Sequence, residues 1–161
     1  MFQIIGMDPS PFVPLYGLSD EALAQHGVRR ERVTAFPGAP DRVSLDDVEA
    51  GGTVLLLNHL HQPATTPYRS QHAIYIREGA ERAHHPAPGE VPPMMRRRVL
   101  SVRAFDAAGW MLDADLVDGA DLAATTALID RLLALPEAAE LHVHFAKRGC
   151  FAARVVRAPA E

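Results

Sequence analysis

LHVHFAKRGCFAARVV, residues 141–156, decides how the rest of the chain is read. Its first half alternates, with Leu141, Val143 and Phe145 apolar and His142 and His144 between them. On a strand, residues two apart face the same way. The apolar triplet is therefore expected to enter a core. The two imidazoles line the opposite face, roughly 7 Å apart along the strand. A second apolar run begins at Phe151. The pattern predicts a hairpin of Glu140 to Phe145 and Phe151 to Val156, turning at Ala146 to Gly149.

Working outward, Pro136 ends the clearest helical pattern, Ala120 to Leu135. Leu122, Ile129, Leu132 and Leu133 make an apolar stripe at helical spacing, and Asp118 is placed to cap it. Val99 to Phe105 and Met111 to Val117 flank Asp106 to Gly109 and predict another hairpin. Thr53 to His61, TVLLLNHLH, predicts a central strand covered on both faces. His72 to Arg77 alternates and should pair with it. Phe2 to Ile5 predicts a short strand. Ser19 caps a short helix, Asp20 to Gln25, stopped at Gly27. Ser44 to Val48 predicts one helical turn, and Val28 to Ala35 an edge strand or loop. Residues 1–14 include a proline-rich, extended leader, and residues 78–93 a long loop with Pro86, Pro88, Pro92 and Pro93. Strands with few helices point to an α+β domain, 1–161. Its mostly antiparallel sheet carries one long helix (about 120–135) packed on it.

Composition bounds the function. The chain has 161 residues and a net charge of −4, which argues against a nucleic-acid partner, since that needs a basic footprint. No apolar run approaches the roughly 18 residues of a membrane span, so no membrane partner is expected. The one cysteine, Cys150, cannot form an internal disulfide; with no signal-peptide pattern at the N-terminus, a cytoplasmic setting is expected. Walker A, dinucleotide-binding and nucleophile-elbow motifs are absent. Oligomeric state is not legible.

Two kinds of site are open. Cys150 follows Lys147, Arg148 and Gly149, and a thiol beside positive charge is the usual setting of a nucleophilic cysteine. His142 and His144 would then be its base or hydrogen-bond partners, and a small-molecule anion would be held by Arg69, Arg148, Lys147 and Tyr68. No cofactor follows from this scheme. In the second, a divalent metal such as zinc is held by His142 and His144 with His61 or His72 as the third ligand. His59 and His61 repeat the H-x-H spacing. A non-catalytic interaction module, with neither site, is the third alternative. Arg96-Arg97-Arg98 is expected to be a solvated face, and Trp110 a packing residue.

The blocks DRVSLDDVEAGGTVLLLNHLHQPATTPYRSQHAIYIREG and ELHVHFAKRGCFAARVVR resemble an uncharacterised bacterial family, one of the domain-of-unknown-function groups. The resemblance runs from about Ala39 onward and implies a real folded domain with no assigned activity. It also implies a C-x-x-C pair in each block, at positions matched here by Asp41 and Ser44, then Cys150 and Ala153. This chain keeps only Cys150, so a four-cysteine zinc site is excluded.

Overall fold

Two antiparallel sheets meet face against face in the computed structural model, which describes residues 1–159. The larger sheet has the order β1-β8-β7-β5-β6, with β1 Phe2–Ile5, β5 Val99–Phe105, β6 Met111–Asp118, β7 Glu140–Phe145 and β8 Phe151–Arg157. The smaller is β2-β3-β4, with β2 Arg29–Arg32, β3 Thr53–Gln62 and β4 Ser70–Arg77. The fold is thus α+β, with mostly antiparallel pairing. The single sheet expected from the sequence is two.

Alternation explains the larger sheet. On one face Leu100, Val102, Ala104, Leu141, Val143 and Val155 are buried against the one helix of seven or more residues among the described residues, Leu122–Leu133. That helix presents Leu128, Ile129, Leu132 and Leu133. It is shorter than expected because its cap is Asp121, whose carboxylate accepts from Ala124 N at 2.9 Å. Asp118 instead caps the turn before it, accepting from Ala120 N. Gly119 packs there against the Met95 carbonyl, where a Cβ would lie only 1.9 Å from the oxygen. A four-residue helix, Pro93–Arg96, buries Met94 and Met95 in the same core.

The smaller sheet uses one hairpin face for two purposes. Leu55, Leu57, Ile74 and Ile76 pack on Phe12, Leu23, Val28 and Val43. Leu23 comes from the helix Asp20–Gln25, where Ser19 accepts from Ala22 N as expected. Further along the same face stand His59 and its cross-strand partner His72. β3 is central, as expected, but not covered on both faces, since Asn58 and Leu60 on its second face are exposed; β2 is an edge strand.

Carboxylates of the 41–47 segment organise what surrounds them. Ser44 to Val48 is not a helix, because Asp41 takes the amides of Val43, Ser44 and Arg77 and holds the segment as turns against β4. Arg96 and Arg97 are exposed, as expected of a solvated face, whereas Arg98 is half-buried on Asp47; Asp46 and Asp47 pair Arg97. Trp110 is half exposed beside Tyr68, 6.0 Å between rings, since the β5–β6 turn carries it out of the core. Among the described residues no helix is long and apolar enough to cross a membrane.

Candidate functional site

Strand β7 is buried on both faces. Its apolar side meets the helix Leu122–Leu133, and its other side places His142 and His144 under the β3–β4 hairpin. They are 2% and 0% exposed, not partly exposed as a surface strand would leave them. The hairpin brings His61 and His72 against them, and Phe151 of β8 stacks on His61 at 5.1 Å.

Each imidazole in this cluster has one nitrogen engaged outward. His142 Nε2 lies 3.0 Å from Glu140 Oε1, so it donates to the carboxylate. That bond holds Glu140 below the usual carboxylate range, against the opposing effect of burial. His144 Nδ1 lies 3.0 Å from the Gly149 carbonyl and must donate to it. His61 Nε2 lies 2.9 Å from His72 Nδ1. The remaining nitrogens face the interior: His61 Nδ1 and His142 Nδ1 are 3.3 Å apart, and His144 Nε2 has no partner. It is the one such buried side-chain polar atom among the described residues.

His61, His142 and His144 each offer a ring nitrogen within 4.8 Å of the others. Burial, then the neighbouring His144 and His142, push the His61 pKa down to about 3. Burial does the same to His144, also about 3, although its bond to Gly149 works the other way. Both rings are therefore neutral at physiological pH, the form in which an imidazole ligates a metal. His59 and His72 are also lowered by burial.

The cluster borders a cavity of about 880 Å³ whose wall includes His59, His61, His142, Glu140, Phe151 and Arg154. A second cavity, about 690 Å³, lies past His72 and holds Cys150, Lys147 and Arg148. The histidines and the cysteine predicted to act together are thus set apart: Cys150 Sγ accepts from Arg42 at 3.2 Å, and no histidine bonds it. Arg69 donates to the Pro63 carbonyl, and Tyr68 sits edge-on to Phe105; neither lines the cavity of Lys147 and Arg148.

Arg42 and Glu140 are additional site residues. Arg42 is buried, and its Nε donates to the Phe151 carbonyl, 109 residues away, at 2.9 Å. Nothing local in DRVSLDD singles it out. Glu140 could have been found from strand alternation, since it shares a face with His142 and His144.

The model of a family described as a protein of unknown function (DUF1203) matches residues 38–157. No curated protein and no solved structure matches the chain. The matched span contains every histidine of the cluster, Glu140, Arg42 and Cys150, but neither β1 nor β2.

Proposed function

The chain belongs to the DUF1203 family, and we propose that it binds a divalent transition-metal ion such as zinc through His61, His142 and His144. The observation that carries this reading is the orphaned His144 Nε2. A buried nitrogen without a partner costs about 1–3 kcal/mol, and an ion would supply that partner. Two further features agree. Tetrahedral zinc with bonds near 2.05 Å sets its nitrogens about 3.3 Å apart, and the His61 and His142 Nδ1 atoms stand at 3.3 Å. His144 would need to draw in by at most about 1.5 Å from the 4.8 Å limit.

The outward bonds are those of a supported ligand shell. A ligating histidine commonly donates its other N–H to a carboxylate or carbonyl, which fixes tautomer and ring orientation. Glu140 accepts from His142, Gly149 from His144, and His72 is placed to accept from His61 Nε2. Neutral histidine donors suit zinc, copper, iron or nickel rather than calcium or magnesium. Three protein ligands leave a position open, and His61 and His142 line the 880 Å³ cavity. Such an ion can activate water or polarise a bound oxygen.

The test is elemental analysis of tag-free protein purified without chelator. The expected result is about one equivalent of metal, lost in His144→Ala and in His61→Gln. Cobalt loading should give a visible ligand-field spectrum in the wild type alone. Folding of both variants is checked by circular dichroism. Metal retained in both variants, or no metal and no cobalt spectrum in the wild type, sinks the reading.

A further inference from the structure

We infer that the second cavity is a binding site for a small organic oxyanion, a phosphate monoester or a carboxylate. It touches the histidine cluster only at His72, takes none of His61, His142 and His144 into its wall, and does not depend on a metal there.

Charge is the first observation. Arg29, Arg42, Arg97, Arg98, Lys147 and Arg148 all line this cavity, and no Asp or Glu does. This occurs in a chain whose net charge is −4. Three of the six are neutralised from behind the wall: Arg29 by Glu31, Arg97 by Asp46 and Asp47, and Arg98 by Asp47. Arg42, Lys147 and Arg148 have no carboxylate at ion-pair distance among the described residues.

Arg42 is the second observation. It is 1% exposed. Nε donates to the Phe151 carbonyl at 2.9 Å, one terminal nitrogen to the Pro40 carbonyl at 2.6 Å, and the other to Cys150 Sγ at 3.2 Å. A guanidinium has five N–H groups, so two are left without a partner in the described chain. A buried charge lacking a counter-charge is expensive, and an anion in the cavity would complete it. Burial holds the Arg42 pKa below its usual value, while Cys150 and the more distant Asp41 act in the opposite direction.

The cavity is also pre-arranged. The Arg42 and Arg98 guanidinium carbons lie 5.2 and 4.9 Å from the centroid of one ring, Phe145. Asp47 holds Arg98 from the side. Positions fixed in this way bind an oxyanion with little loss of side-chain freedom. Leu56, Ile74 and Val99 supply apolar wall, and a volume of about 690 Å³ is that of a small-molecule site. An inorganic ion would leave most of it unfilled, hence an organic anion.

Cys150 supplies a local reporter, since it is the single cysteine and lines this cavity. Chelator-treated full-length protein is titrated with phenyl phosphate, benzoate and inorganic phosphate by calorimetry, and iodoacetamide alkylation of Cys150 is followed by mass. The expected result is saturable binding of phenyl phosphate or benzoate, tighter than inorganic phosphate, with alkylation slowed at saturation. The tighter of the two organic anions identifies the oxyanion. The double variant Lys147→Gln, Arg148→Gln should weaken binding about tenfold or more; both residues are exposed, so its fold is retained. The inference is overturned if neither organic anion binds below about 10 mM, if inorganic phosphate alone binds, if the double variant binds like wild type, or if alkylation is indifferent to saturating ligand.

Discussion

The two faces of β7 are equally buried and unlike in kind. Leu141 and Val143 sit in the apolar core, and Phe145 at its edge packs under Arg42 and Arg98. His142 and His144 sit among imidazoles, where one nitrogen finds nothing. Packing alone accounts for the first face. The second gives up free energy to keep polar rings out of water, which packing does not repay; the proposed ion would.

Acid should separate the faces most strongly. His61 and His144 titrate near 6.5 when unfolded and about 3 when folded, so between those values the unfolded chain binds more protons. Their contribution to stability is intact above pH 6.5 and is lost as pH falls toward 3. In metal-free protein the loss should approach about 2.7 kcal/mol per pH unit for two protons. Denaturant melts between pH 7 and 4 measure it. A slope unaltered by His144→Leu would mean that the imidazole face is not its source.

Next in size is the apolar face. Leu141→Ala removes a fully buried side chain and should cost about 2–5 kcal/mol at neutral pH, read from the urea midpoint. His144→Leu, one strand face away, should move the other way. With no ion present it should range from no change to a gain of about 1–2 kcal/mol, because the orphan nitrogen is gone. A loss larger than Leu141→Ala would show that the histidine face holds the fold together, and would remove the contrast. The smallest effect tests independence. Asp121→Ala unfastens the helix behind the apolar face and should cost about 1 kcal/mol while leaving metal content at its wild-type value.

Much of this contrast was legible in the sequence. The alternation in LHVHF divides β7 into its two faces, and the hairpins of β3–β4, β5–β6 and β7–β8 follow from alternation and turn chemistry. What covers the histidine face was not legible. It is a second sheet; the H-x-H spacings named His61 as a partner for His142 and His144, and the three do meet, but the 81-residue contact that buries them lies beyond any local pattern. The same limit hid the neutralisation of Arg97 and Arg98, whose carboxylates lie about fifty residues earlier. Helix ends were blurred because Asp118 and Asp121 both accept from amides two or three residues on, and only the approach of Gly119 to Met95 decides between them.

The pairing of β1 with β8 has a consequence for the order of events as the chain is made. The larger sheet cannot close until Phe151–Arg157 has emerged, since its first strand waits for its last. The β3–β4 hairpin, carrying His61 and His72, can form long before that. Of the three residues proposed to hold an ion, the hairpin carries only His61. His142 and His144 arrive with the C-terminal strands, together with the Phe151 carbonyl that seats Arg42. Loop closure over such separations is slow. Both cavities are therefore completed in the last step of assembly, so either proposed ligand would meet a chain that has already finished folding.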